Sequence, residues 1–509
     1  MNANTIGMLI IMIIYLGAMV LIGILFSRKN NDTSDFYLGG RKLGPIVTAM
    51  SAEASDMSSW LLMGLPGVAY LSGTADAAWT AIGLAIGTYV NWLVVAKRLR
   101  NYTHVCGNST TLPLFFSNRY RDNKRILSVI AALLIIIFFV PYTASGFAAC
   151  GKLFANLFGM DYLPAMLISA IVIVAYTTLG GFLAASTTDF VQSIVMTIAI
   201  VVVFGFGISK VGSFSAVMDN AKSMAGYFSL THTHDVATGT ASPYSLLQIF
   251  STLAWGLGYF GMPHVLLRFM AIGDANKLKL SRRVATVWVV ISMAVSVFIG
   301  VIGNAMTKAG VLPTLKDPET IILVVSDLIS KHGVLATIIA GLILAGILAA
   351  TMSTADSQLL AASSSASQNI LKEVFMKDMS EKTGMLIARI TVLVIALIGV
   401  FIARNPDSSV FQIVSFAWAG FGASFGPLVL LALFWKRSTF QGALCGMVSG
   451  GVMVFVWKFL IRPMGGALGI YELLPAFLLG LAVNVIVSLL TPAPSREVQD
   501  EFDKVASMK

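Results

Sequence analysis

The chain has 509 residues, of which 57% are hydrophobic and only 11% charged, and its mean hydropathy is +0.84. Soluble domains carry about 25% charged residues, so a water-soluble globule is excluded. The net charge of +10 does not indicate nucleic acid, because the Lys and Arg residues fall in short segments between long apolar blocks, as membrane topology places them.

Read in chain order, the apolar blocks predict an all-α integral membrane protein with thirteen spans. The first, near 5–27, has no Lys or Arg ahead of it and no small-residue cleavage site after it, so it reads as an anchor and not a cleaved leader. Arg28 and Lys29 follow at once, which predicts an extracellular N-terminus. The second span, 46–72, holds Ser51-Ala-Glu-Ala-Ser-Asp-Met-Ser-Ser-Trp60, then Gly64, Pro66 and Gly67. Spans at 75–96, 127–151, 160–180 and 188–208 come next, with a basic loop at 97–126. The sequons at Asn101 and Asn108 lie in that cytoplasmic loop and are chance matches.

The segment 209–243 reads as a loop with at most a short helix, and His232 and His234 within it lack the further ligands of a metal site. The seventh span, 244–267, holds Trp255-Gly-Leu-Gly-Tyr-Phe-Gly-Met-Pro-His264; spans follow near 284–307, 334–360, 385–403, 411–434, 441–461 and 472–491. With the N-terminus outside, most of the 34 Lys and Arg fall on the cytoplasmic side, Arg119, Arg268 and Lys377 among them, and the tail from Pro492 is cytoplasmic. The three cysteines show neither metal nor disulfide spacing.

Motifs for direct ATP use and for an intramembrane metalloprotease are missing. What remains are polar and helix-breaking residues inside spans, which are costly in lipid unless used. The second and seventh spans are both rich in helix breakers and stand five spans apart. If spans two to six and seven to eleven form two five-helix repeats, each repeat opens on a broken helix, the sequence pointer to a carrier's central site. The ninth span ends Ala349-Ala-Thr-Met-Ser-Thr-Ala-Asp-Ser357. There Ala350, Ser353 and Thr354 share one helix face, and their oxygens suit a hard monovalent cation; the hydroxyls could equally bond back to their own helix.

The sequence resembles the sodium/solute symporter family from about residue 8 to residue 495. The matching stretches are Tyr37-Leu-Gly-Gly-Arg-Lys-Leu-Gly-Pro45, Ala54-Ser-Asp-Met-Ser58 with Trp60-Leu-Leu-Met-Gly-Leu-Pro-Gly67, and Gly180-Gly-Phe-Leu-Ala184 with Asp189. Trp255-Gly-Leu-Gly-Tyr-Phe-Gly261 with Pro263-His264, Met352-Ser-Thr354 and Ala417-Trp-Ala-Gly-Phe-Gly-Ala423 complete the set. The resemblance implies a five-plus-five inverted repeat with one leading and two trailing helices. The corresponding units are 1–45, leading helix and first cytoplasmic loop; 46–208, first repeat; 209–243, extracellular loop; 244–434, second repeat; 435–491, two trailing helices; and 492–509, cytoplasmic tail.

It further implies uptake of a small zwitterion, L-proline foremost, coupled to sodium ions at a bacterial inner membrane, with no obligatory protein partner. Position by position, the resemblance gives Ala54, Met57 and Ala350 as carbonyl ligands and Ser353 and Thr354 as hydroxyl ligands of sodium. Asp56 becomes the coupling carboxylate, with Asp189 a second one. Ser58, Tyr142, Trp255, Tyr259 and Pro263 would line the substrate site, and Arg41 would support an inner gate. Asp189, Ser353, Asp356 and Ser357 would form a second cation or proton site. Glu53 and Ser59 stand where the resembled sequences have small residues, and Asp356 where they lack a carboxylate. These departures leave another amino acid or a small organic anion open as substrate. A membrane-embedded enzyme or a sensor is the rival class, without a catalytic constellation or signalling domain to support it.

Overall fold

The computed structural model describes residues 2–27, 33–375, 380–405 and 409–508. Arg28, Lys29 and Lys377 of the charge balance lie outside them. The leading helix α1 spans Ala3–Ser27 and is capped by Asn2, whose Oδ1 accepts from Thr5 N at 2.8 Å. A short α2, Thr33–Leu38, leads to α3, Pro45–Ser59, where proline occupies the first turn. The helix breaks at Ser58, then resumes through a wide turn at Trp60–Gly64 and α4, Leu65–Ser72. Next come α5, Thr74–Val90, which runs on into α6, Ala96–Val105; α7, Leu112–Arg119, capped by Thr111; and α8, Ile126–Phe158.

The fifth and sixth expected spans are not separated by a loop. They form α9, Tyr162–Val211, whose direction changes at Gly181 alone. Its φ of 66° is a conformation glycine adopts without a Cβ penalty, so one residue makes the corner. The 209–243 segment holds more order than expected: α10, Phe214–Ser223, and a hairpin of β1, His232–Asp235, paired antiparallel with β2, Thr240–Pro243.

The second repeat opens with α11, Leu246–Leu253, which starts on a Ser245/Gln248 capping box. A 3₁₀ stretch, Ala254–Phe260, and α12, Pro263–Ala271, follow. Then come α13, Leu278–Lys308; α14, Ile321–Ser330; α15, Val334–Ser364; α16, Glu381–Ala403; and α17, Val410–Phe434. The trailing helices are α18, Phe440–Val456, and α19, Leu473–Leu490; the tail forms α20, Arg496–Ser507.

Ten helices of the described residues are long and apolar enough to cross a membrane. The three further expected spans are the interrupted 45–72 and 246–271 and the first half of α9. Two five-helix sets, each opened by a broken helix, therefore precede two trailing helices, the expected all-helical architecture. The interrupted helices lie inside: α3 packs on α9, α12, α13 and α15, and the 3₁₀ stretch packs on α5 and α17. Unwound backbone is tolerated at membrane depth only in such an enclosed place. Gly258 shows why the seventh span is glycine-rich, since a Cβ there would lie 2.0 Å from Trp418 Nε1.

Candidate functional site

The two breaks meet. Ser58 adopts φ 47° and ψ −172°, a conformation a serine keeps only where the surroundings enforce it. Its Oγ accepts from Trp60 N at 3.1 Å. Beside it, Asp56 is 5% exposed; its Oδ2 accepts from Tyr259 Oη at 2.6 Å, and its Oδ1 has no partner among the described residues. Tyr142 Oη donates to the Asp56 carbonyl at 3.1 Å. The two broken segments and α8 are thus held together around one aspartate, through its carboxylate and its backbone carbonyl.

Asp56, Tyr142 and Trp255 line a narrow cavity together with Met57, Trp60 and Trp418. Its volume of about 10 Å³ is at the lower limit for one water molecule, so the chamber is collapsed. Ser58 lines an adjoining gap with Ser59, Tyr142, Ser145 and Gln358. Tyr259 and Pro263, expected in the wall, are in neither: Tyr259 acts through Asp56, and Pro263 starts α12. On the other side of Trp255 a polar vestibule of about 350 Å³ ends on Trp255, Phe411 and Tyr471. Between vestibule and chamber the rings interlock, with Trp255–Tyr471 centroids 5.0 Å apart, Trp255–Phe411 5.5 Å and Trp60–Phe411 5.9 Å. Each such pair contributes about 0.5–1.5 kcal/mol, so a few weak ring contacts separate the vestibule from the chamber. Trp60, Phe411 and Trp418 were not singled out from the sequence, although Trp60 and Trp418 lie in the quoted motifs.

Below the break, α3 meets α15. Ser353 Oγ lies 2.8 Å from the Ala54 carbonyl and 3.2 Å from that of Ala350, and Thr354 Oγ1 donates to Ala350 O at 3.1 Å. Four of the five expected cation ligands are therefore together. The fifth, the Met57 carbonyl, accepts the Trp60 N–H across the break. All five are oxygens, as a hard monovalent ion requires.

Arg268 is the main correction. Counted from the sequence as a cytoplasmic cation, it is 1% exposed. Its Nη2 reaches Asp189 Oδ2 at 3.1 Å and Ser357 Oγ at 2.5 Å, its Nε reaches Ser51 Oγ at 3.0 Å, and its Nη1 reaches the His264 carbonyl at 3.0 Å. Asp356 Oδ1 lies 3.1 Å from the same Ser357 hydroxyl, and its Oδ2 is buried without a partner among the described residues. The two carboxylates are brought together as expected, but around a guanidinium, which serves as a built-in counter-ion. Arg119 is likewise buried and not in a loop: it stacks on Tyr102, Tyr120 and Phe502 and donates from Nε to Ala432 O at 3.0 Å. Periodicity could have raised Arg268, one turn after His264 in the same short helix.

Glu53 points away from the chamber. Its Oε1 accepts from Trp92 Nε1 at 2.8 Å and Thr88 Oγ1 at 3.0 Å, tying α3 to α5. At the opposite end, Arg41 ties three segments together: Nη1 donates to Met270 O at 2.6 Å, Nη2 to Ser109 O at 2.7 Å, and Nε to Asn108 Oδ1 at 3.1 Å. Burial, with Arg100 nearby, pushes its guanidinium down to about 10, still charged at neutral pH. The tail helix docks here too, with Glu497 and Glu501 on Arg121 at 3.0 and 2.8 Å and Phe502 buried.

A model of the sodium:solute symporter family matches residues 36–450. The chain is 41% identical over 484 residues to the osmoregulated proline transporter OpuE of Bacillus subtilis, covering 95% of this chain and 94% of that one. It is 42% identical over 502 residues to the sodium/proline symporter of Haemophilus influenzae, covering 97% of each. A solved Na+-coupled sialic acid symporter, substrate-bound and outward-open, superposes with a TM-score of 0.78 at 18% identity, over 96% of this chain and 99% of its own.

Proposed function

The chain belongs to the sodium:solute symporter family, and we propose that it couples inward sodium movement to the uptake of L-proline by alternating access. It is a transporter and not an enzyme, and sodium is its coupling ion. The observation that carries the reading is the junction at Asp56. There both broken helices, the aromatic lid and the cluster of Ala54, Ala350, Ser353 and Thr354 oxygens lie within a few residues of one another.

In this reading sodium replaces the Ser353 and Thr354 hydroxyl bonds and is bound by those oxygens with the carbonyls of Ala54, Met57 and Ala350. That exchange would fix α3 against α15. Proline's secondary ammonium group lies against Tyr142 and Trp255, whose faces attract cations, and within reach of the free Asp56 Oδ1. Its carboxylate takes Ser58 and the backbone freed at the break. Asp189 tunes the inner end of the path through Arg268. The Arg41 clamp and the open vestibule correspond to an inward-closed molecule whose solute chamber is shut. With thirteen crossings, an odd number, the termini lie on opposite sides, and the basic residues between the apolar blocks favour an outside N-terminus and a cytoplasmic C-terminus at a bacterial inner membrane.

Labelled proline uptake into proteoliposomes tests the reading. Accumulation should follow an inward sodium gradient and fall to the passive level when potassium replaces sodium. Sodium-driven uptake of a different amino acid, with proline neither transported nor competing, would leave the family reading intact and overturn proline.

A further inference from the structure

On the outside of the bundle, α3, α9 and α13 leave a groove of about 500 Å³ whose lining includes Met50, Thr197, Val287, Trp288, Ile291 and Arg283. The Thr197 and Ser292 hydroxyls bond within the protein, so the surface that the groove exposes is apolar, and the Arg283 guanidinium lies at its edge. Val287 and Ile291 are more than half exposed, so in a membrane the groove faces acyl chains. Trp288 is fixed in its wall, donating from Nε1 to Thr197 Oγ1 at 2.8 Å. Arg283 is exposed and in no ion pair among the described residues. Lys279 sits in the first turn of the same helix, where the helix dipole disfavours a cation.

We infer that this groove is a binding site for one anionic phospholipid, its phosphate on Arg283 and one acyl chain lying along Val287, Trp288 and Ile291. From Arg283 to Ile291 the helix rises about 12 Å, a length that an acyl chain follows easily. Basic pockets between membrane helices hold anionic headgroups in the same way. Met50 belongs to the half of α3 ahead of its break, so the bound lipid touches one of the two interrupted helices.

The test uses the full-length protein purified in mild detergent and reconstituted at graded phosphatidylglycerol content in phosphatidylcholine. Native mass spectrometry should show one retained phosphatidylglycerol. Arg283→Gln should reduce it several-fold, and Val287→Trp, which fills the groove with the charge intact, should do the same. Lys279→Gln removes an equal charge one turn away and should retain the lipid. Uptake by the wild type should rise saturably with phosphatidylglycerol, and this saturable rise should be lost in Arg283→Gln. Equal losses in Lys279→Gln and Arg283→Gln would reduce the effect to general surface charge and overturn the site. So would retention of phosphatidylcholine to the same extent, or displacement of the lipid by inorganic phosphate alone.

Discussion

Arg268→Ala should be among the most damaging single changes in the molecule. The guanidinium joins four elements, through Ser51 on α3, Asp189 on α9, His264 on α12 and Ser357 on α15, and it lies 5.0 Å from the Phe182 ring. Removing it leaves the Asp189 carboxylate, 0% exposed, without its cation. Breaking a buried pair from one side costs about 3–5 kcal/mol. At about 2 °C per kcal/mol, the lower figure for large domains, the thermal midpoint in detergent should fall by about 6–10 °C. Asp189→Asn should cost a similar amount for the converse reason. The double variant Arg268→Ala with Asp189→Asn removes both charges, and should recover about 2–3 kcal/mol relative to the sum of the singles. Tryptophan fluorescence followed through thermal unfolding, at fixed scan rate, measures all four proteins. If the single effects add to within about 0.5 kcal/mol, the two groups do not depend on each other and the counter-ion role of Arg268 is wrong.

Ser353→Ala and Thr354→Ala should each weaken sodium activation by about 1–3 kcal/mol, the cost of an unmet polar contact; unchanged sodium dependence in the double variant would place the ion elsewhere. Trp255→Ala should raise the half-saturating proline concentration more than the sodium one, since its ring lines the chamber, and equal shifts would mean that it only holds the helix. Glu53→Gln keeps an acceptor for Trp92 and Thr88 and should transport normally, whereas Glu53→Ala strands both donors at about 1–3 kcal/mol, read as a lower thermal midpoint. Membrane-impermeant thiol labelling from outside should reach a cysteine at residue 2 but not one at the exposed Ser507; the reverse pattern would invert the topology.

The sequence by itself determined the membrane class, the helical architecture, the family and the two interrupted helices. These rest on quantities local to the chain: the length of apolar runs and the glycines, prolines and polar residues that break them. The oxygens of Ala54, Ser353 and Thr354 were legible for the same reason, because helix-face spacing and a matched motif are both one-dimensional. Only the tertiary structure decided which side chains complete those sites. Arg268 and Arg119 read as solvated cations because charge near the end of an apolar block gives no sign of burial. Arg268 is inside because α12 ends deep in the bundle, where Asp189, Ser51 and Ser357 converge from three other helices. Glu53 and Asp56 are one turn apart on α3, yet they bond to different helices, Glu53 to α5 and Asp56 to the 3₁₀ stretch beside the break at Ser58. The lid joins Trp60, Trp255, Phe411 and Tyr471 from four distant segments. Such convergence is a property of packing, and local sequence carries no record of which apolar rings will meet.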